Sequence, residues 1–222
     1  MALKLTAVLR TITEIASLLL FLFLFIGGKL QLWILIFGGL AILSLFFGRF
    51  YCGWVCPIQT VFRPIGWLYK KLHIKRLKTP KVMKKPVFRY IFLFLFLGLL
   101  VTTRIFAIKL PLLFYILVAG VMVTLFFEEE FWHSFFCPYG TILSFFSRPA
   151  KLHLGISEDK CIGCGLCQKV CNANSIITLD NKKRRIIRNE CLLCFNCENV
   201  CPVEAISYSK AKKFKLKKSI ET

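Results

Sequence analysis

Four stretches of the chain are almost entirely apolar, and strongly basic segments separate them. They cover residues 11–28, 30–47, 87–108 and 110–127. A helix of about 20 apolar residues spans the hydrocarbon core of a bilayer. The pattern therefore predicts a mostly α membrane protein, with four transmembrane helices arranged as two tandem helix pairs within residues 1–150.

A Cys-Pro motif follows each predicted helix pair. The first reads FYCGWVCPIQ and the second, 81 positions later, reads FWHSFFCPYG. In this register Cys56 matches Cys137, whereas Cys52 matches His133. Proline is favoured in the first turn of a helix and disfavours helix in the residue before it. Each motif therefore predicts a corner where a spanning helix turns into an interfacial one.

Residues four apart on a helix share a face, so each motif presents its two potential ligands together. If the halves pack about a pseudo-two-fold axis, Cys52, Cys56, His133 and Cys137 converge. Thiolate and imidazole bind soft and borderline metals, which predicts an additional metal or cluster at the Cys-Pro motifs. The alternative is that the cysteines are buried without chemistry and that His133 only bonds a backbone carbonyl.

The charge distribution predicts the sidedness of the chain. The formal net charge is +20, with eleven Lys or Arg in residues 48–89 and fifteen after position 147, but only three in the two short turns. Basic loops remain on the cytoplasmic side, so both termini are expected there, in a bacterial or archaeal cytoplasmic membrane. Because the basic charge follows this topology, nucleic acid is not an expected partner.

The last third of the chain carries eight cysteines in two runs, CIGCGLCQKVC and CLLCFNCENVCP. Both have the C-x2-C-x2-C-x3-C spacing of two-cluster ferredoxins, in which the fourth cysteine of each run ligates the other cluster. The alternative, two structural zinc sites, favours cysteine pairs separated by longer gaps. The spacing predicts one 4Fe-4S cluster on Cys161, Cys164, Cys167 and Cys201, and a second on Cys191, Cys194, Cys197 and Cys171.

These runs predict a ferredoxin-like α+β domain over residues 151–209, followed by a basic tail over 210–222. Between the runs, SIITLDNKKRRII has strand-like ends around an Asp180-Asn181 turn and predicts a hairpin.

Together, the four spans, the paired Cys-Pro motifs and the eight-cysteine domain resemble the NapH-type membrane ferredoxins. The membrane part is also similar to the membrane cores of NosR and CcoG. The resemblance implies a quinol dehydrogenase membrane subunit that passes electrons between quinone or quinol and a redox partner such as another ferredoxin, a cytochrome or a reductase subunit. His133 departs from the cysteine expected in the second motif.

Two other functions stay open at this point. The membrane thiols and the clusters could serve a copper reductase or a metalloenzyme assembly factor, or the chain could be a scaffold for another enzyme. Quinol oxidation also needs proton acceptors, and Glu14 and residues 128–130 are candidates. The simpler interpretation pairs Glu14 with Arg10 and makes the three later glutamates a solvated helix end.

Overall fold

The computed structural model describes residues 5–74, 76–77, 86–106 and 112–210. Four long helices occupy the predicted apolar stretches: α1 (Leu5–Ile26), α2 (Leu32–Phe47), α5 (Pro86–Ile105) and α6 (Leu112–Phe126). Parts of the third and fourth predicted spans, and all but the first residue of the predicted basic tail, lie outside the described residues.

Among the described helices, α1 alone is long and apolar enough by itself to cross a membrane, and the other three have shorter apolar segments. Their surfaces remain apolar all the same. Phe21 of α1 is buried, but Phe23 is 73% exposed, as are Leu35 of α2 at 71% and Phe94 of α5 at 69%. A helix that is apolar on every side needs an apolar surrounding.

The backbone turns in the same way at both Cys-Pro motifs. In the first half, α3 (Phe50–Trp54) leads into α4 (Pro57–Lys71). In the second half, α7 (Glu129–Phe131) and a π-helical turn (Trp132–Phe136) lead into α8 (Pro138–Phe146).

One hydrogen bond spanning five residues defines each corner. The Cys56 amide donates to the Tyr51 carbonyl at 2.9 Å, and the Cys137 amide donates to the Trp132 carbonyl at 3.0 Å. Both cysteines are extended, and each following proline begins a helix. The tandem repeat in the sequence is therefore also a repeat of backbone hydrogen bonding.

The C-terminal part is a small α+β unit. Strands β1 (Leu152–Ile156) and β4 (Ile206–Lys210) pair antiparallel, with Ile156 opposite Ile206. The predicted hairpin is confirmed as β2 (Ile176–Thr178) paired with β3 (Arg184–Ile186). Short helices α9 (Leu166–Lys169) and α10 (Asn196–Asn199) begin within the cysteine runs, and a 3-10 turn (Arg188–Glu190) precedes the second run.

The second cysteine run packs directly on the helical part of the chain, the described residues between 5 and 150, which we call the membrane half after the predicted spans. A Cβ atom placed on Gly53 would collide with the Leu192 carbonyl oxygen, so only glycine fits there. The indole Nε1 of Trp54 donates to the Leu193 carbonyl at 3.0 Å, and the Tyr208 hydroxyl donates to the Phe47 carbonyl at 3.0 Å. Contacts between the α+β unit and the first Cys-Pro corner thus fix where the second run lies.

Candidate functional site

Two cavities in the α+β unit are lined by four cysteines each. Each cavity takes three cysteines from one run and the fourth from the other. We call the cysteines of the cavity that contains Cys161 the outer set and those of the cavity that contains Cys171 the inner set. The outer set is Cys161, Cys164, Cys167 and Cys201, and the inner set is Cys171, Cys191, Cys194 and Cys197. This grouping is the same as that of the predicted ligand sets.

The arrangement of the thiols fits a 4Fe-4S cluster better than a zinc ion. Zinc requires four ligands at about 2.0–2.3 Å from one ion. In the parts of the chain that the structure describes, no three His, Cys, Asp or Glu side chains lie close enough to hold one ion. A 4Fe-4S cluster instead takes its four thiolates from four sides of a cavity. The four cysteines of each set line one cavity, as that ligation requires.

The backbone curves around both cavities in the same way, through residues with positive φ values at equivalent positions of the two runs. Gly163 and Gly165 have φ values of +73° and +77°, and the equivalent Leu193 and Phe195 have φ values of +52° and +58°. At Gly163 a Cβ would lie 2.8 Å from the Lys182 carbonyl oxygen. Glycine is thus required by space as well as by φ in the first run, whereas in the second run larger residues adopt the left-handed region.

The two sets differ in their surroundings. In the outer set Cys164 is exposed, and its neighbour Ile162 is 65% exposed. In the inner set Cys191 and Cys197 are buried, and the adjacent Leu192 belongs to the hydrophobic core of the membrane half. The outer set therefore faces solvent and the inner set faces the membrane half.

Burial makes the inner thiols hard to ionise without a compensating charge. Burial, with a further contribution from the charge of Cys194, raises the pKa of Cys191 to about 12, although Arg49 acts in the opposite direction. Burial also raises the pKa of Cys194, and the charge of Arg10 is the largest effect that lowers it. A cysteine ligand is a thiolate, so the two arginines favour the ligating form.

We define the Cys-Pro centre as Cys52, Cys56, His133 and Cys137. All four side chains are buried, and they come from the two tandem repeats. Burial, together with the charge of Cys52, raises the pKa of Cys137 to about 11. Burial raises the pKa of Cys56 as well, with further contributions from Cys137 and Cys52. The structure therefore brings the three thiols within electrostatic reach of one another.

A buried arginine that the sequence analysis missed lies among these thiols. The Arg49 Nη2 is 3.8 Å from the Cys52 Sγ, and a Cβ placed on Gly140 would lie 2.7 Å from the same nitrogen and 3.5 Å from the Cys137 Sγ. Arg49 is 1% exposed. Its position at the end of an apolar helix, directly before the first motif, is the signal that could have identified it.

His133 is part of the same buried region. Burial, together with the charge of Arg49, lowers its pKa to about 3, which favours the neutral imidazole. Its ring lies 5.7 Å from that of Phe62. The Nε2 atom is buried and has no hydrogen-bond partner among the described residues, as is also true of Gln59 Oε1 and Trp132 Nε1.

The acidic residues also have definite roles in packing. Glu14 pairs with Arg10 at 2.9 Å, which confirms the simpler interpretation for Glu14. The interpretation of residues 128–130 as a solvated end is wrong for Glu129. That side chain is buried, lies 3.8 Å from Arg76, and accepts a 2.6 Å hydrogen bond from Asn172, which follows Cys171 of the inner set.

Comparison with known protein families finds iron–sulfur binding domains both at the Cys-Pro corners and in the unit that contains the two cysteine runs. A family described as a 4Fe-4S binding domain matches twice, at residues 30–75 and 110–157, once for each Cys-Pro corner. A family described as a 4Fe-4S dicluster domain matches residues 155–208, which contain both cysteine runs.

Curated relatives come from archaea and bacteria. Uncharacterized protein MJ0749 of Methanocaldococcus jannaschii is 34% identical over 76% of this chain and 67% of its own length. Protein MJ0750 of the same organism is 29% identical over 78% and 76%, respectively. The methylamine utilization ferredoxin-type protein MauN of Methylobacillus flagellatus is 30% identical over 57% of this chain and 49% of the relative.

No solved structure matches the chain significantly. The two family matches identify iron–sulfur binding domains over most of the described sequence. The extent and identity of the match to the archaeal relative MJ0749 show common ancestry along the greater part of both proteins. This chain belongs to a family of 4Fe-4S ferredoxin-type proteins that also includes MJ0749.

Proposed function

We propose that this protein is a membrane-bound electron carrier of the NapH type that transfers electrons between the quinone pool and a redox partner. One observation carries the proposal: the inner cysteine set packs against the apolar helices, whereas the outer set faces solvent. The ferredoxin-type domains and the relatives with ferredoxin-type names support electron transfer as the general activity. The quinone and the partner are what the resemblance to the NapH-type proteins implies.

Cys161, Cys164, Cys167 and Cys201 are the proposed ligands of one 4Fe-4S cluster, and Cys171, Cys191, Cys194 and Cys197 those of the other. When bound, each cluster supplies a one-electron carrier whose potential depends on charge, hydrogen bonding and exposure. The protein supplies the thiolates, the burial of the inner set and the exposed edge around Cys164 where a soluble partner can approach.

All four long helices are proposed to lie in the membrane, with both termini in the cytoplasm. Their exposed leucine and phenylalanine side chains support this placement, and a bilayer adapts to short spans by thinning or by snorkelling of flanking residues. A reporter fused after Thr222 should be cytoplasmic, and one inserted near Ile108 should be external; both positions lie outside the described residues. An external C-terminus would contradict the topology.

The Cys-Pro centre is proposed to hold an additional redox cofactor at the membrane end of the path. The buried thiols of Cys52 and Cys137 lie close to the charged Arg49. A nearby guanidinium stabilises an anionic thiolate-bound group. An iron–sulfur centre and a copper(I) thiolate site would both be anionic, so the charge supports a thiolate-bound cofactor and does not distinguish between the two.

Anaerobic purification followed by iron and sulfide analysis tests the proposal. The two cysteine sets account for about eight iron and eight sulfide per chain. Iron above that amount should disappear in Cys56→Ser, while the clusters of the α+β unit remain. A quinol analogue should then reduce the clusters. Protein that contains zinc and no iron, or iron-loaded protein that neither gives electrons to quinone nor takes them from quinol, would contradict the proposal.

A further inference from the structure

Three charged residues form a group at the first corner, in which Arg10 and Glu14 are buried and Arg63 is partly exposed. Arg10 Nε donates to Glu14 Oε1 at 2.9 Å, and Arg63 Nη1 donates to Glu14 Oε2. Arg10 and Glu14 are 3% and 2% exposed. Two guanidinium groups and one carboxylate leave a net charge of +1.

A second group has the same composition. Arg49 Nη1 lies 3.2 Å from Glu190 Oε2, and Arg89 Nη1 lies 2.7 Å from Glu190 Oε1. Again two arginines share one carboxylate and leave a net charge of +1. We call these two groups the arginine triads.

Both triads contact the backbone of the second cysteine run. Arg10 Nη1 donates to the Cys194 carbonyl at 2.6 Å and to Asn196 Oδ1 at 2.9 Å. Arg49 Nη1 donates to the Glu190 carbonyl at 3.3 Å, one residue before Cys191. The membrane half thus brings two net positive charges to the loop that carries two ligands of the inner set.

Each triad keeps a further buried donor. Arg10 Nη2 and Arg49 Nε are buried and have no hydrogen-bond partner within the described ranges. Buried polar groups ordinarily find a partner. These unpaired donors leave part of the positive charge of each guanidinium uncompensated beside the second cysteine run.

The outer set has an arginine of its own, but that side chain is partly exposed. Arg184 lines the outer cavity, its Nη1 donates to the carbonyl of Lys182 in the β2–β3 turn, and its Nε also has no partner among the described residues. Charges exposed to solvent are screened within about 8 to 10 Å at ordinary ionic strength, whereas buried charges are screened much less.

Reduction adds one negative charge to a cluster, so buried positive charge and donors to it stabilise the reduced state and raise the potential. We infer that the two arginine triads are tuning elements that raise the reduction potential of the inner cluster. This inference rests on the proposed binding of clusters by the inner and outer sets. Arg10 and Arg49 act by position, through charge and hydrogen bonds, and are not ligands.

Potentiometric titration of the anaerobically purified full-length protein, followed by electron paramagnetic resonance, tests the inference. The inner cluster is identified by the signal that Cys197→Ser removes. Arg10→Gln should lower the reduction equilibrium constant of that cluster at least tenfold, equivalent to 59 mV for one electron. Arg10→Lys should keep most of the wild-type value because it keeps the charge.

Two milder variants separate tuning from structural damage. Arg63→Gln removes charge from the partly exposed end of the first triad and should lower the potential of the inner cluster. Glu14→Gln removes the negative charge and should raise it. Arg148→Gln, the same exchange at an exposed arginine of the membrane half, is the matched control and should shift neither cluster.

Shifts of opposite sign at Arg63 and Glu14, confined to the inner cluster, would support the tuning role. Shifts of the same sign, equal shifts of both clusters, or no shift would overturn it. Wild-type protein without iron would overturn the proposed function together with the inference. Two clusters whose reduction potentials are unchanged in all three charge variants would overturn the inference alone.

Discussion

The two cysteine runs share one spacing but differ in what surrounds them. Cys161, Cys164 and Cys167 lie at an edge where Ile162 is exposed to solvent. Cys191, Cys194 and Cys197 lie against the first Cys-Pro corner and two buried arginine triads. The ligand pattern is thus a local property of each run, whereas the electrostatic surroundings come from residues more than a hundred positions earlier. Two cysteine runs with the same spacing can therefore hold clusters at opposite ends of one electron-transfer path.

The largest expected effect separates the two sets by their fourth cysteines. Cys171→Ser should remove the cluster of the inner set, although Cys171 belongs to the first run, and Cys201→Ser should remove the cluster of the outer set. Each variant should lose about four iron per chain, since each set supports one 4Fe-4S cluster. Iron analysis and electron paramagnetic resonance measure the result. If Cys171→Ser removed the solvent-facing cluster instead, the assignment of ligands would be wrong.

A smaller effect tests the contact that places the inner set. Gly53→Ala should destabilise the protein by about 1–3 kcal/mol, since the added methyl group overpacks against the Leu192 carbonyl. Thermal unfolding and the iron content of the inner cluster report this change. Gly39→Ala in α2 is the control, because nothing lies within 4 Å of its added Cβ; it should be neutral or stabilise by about 0.5–1 kcal/mol. Equal melting temperatures for both variants would contradict the packing.

The smallest effect concerns a single hydrogen bond in the same interface. Trp54→Phe removes the indole donor to the Leu193 carbonyl and should cost about 1 kcal/mol. Trp67→Phe changes a residue that is 61% exposed and should cost less than about 0.5 kcal/mol. Denaturant unfolding of the two variants gives the comparison. A larger loss in Trp67→Phe would show that the first corner does not hold the second run.

The features that depended on local pattern could be predicted from the sequence. The hairpin between the runs follows from strand-like ends around a turn, and both Cys-Pro corners follow from the helix-breaking and helix-starting properties of proline. The four apolar helices also lie where predicted. α1 begins at Leu5, earlier than position 11, because Arg10 and Glu14 neutralise each other and the helix can continue through them.

The features that depended on distant contacts could not be predicted in the same way. Arg49 and Glu190 are separated by 141 positions, and no periodicity connects them. Glu129 looked solvated because it lies in a run of three glutamates, but its partners Arg76 and Asn172 come from other parts of the chain. The charges around the inner set become visible only when the α+β unit is docked on the membrane half.

The central claim is that electrons enter or leave the membrane half through the inner set. Adding a quinol analogue to the Cys171→Ser and Cys201→Ser proteins under anaerobic conditions, followed by rapid freezing and electron paramagnetic resonance, tests it most directly. In Cys201→Ser the inner cluster should still be reduced at close to the wild-type rate, because its contacts with the membrane half are intact. In Cys171→Ser reduction of the outer cluster should be slowed at least tenfold. Unimpaired reduction of the outer cluster in Cys171→Ser would contradict this account.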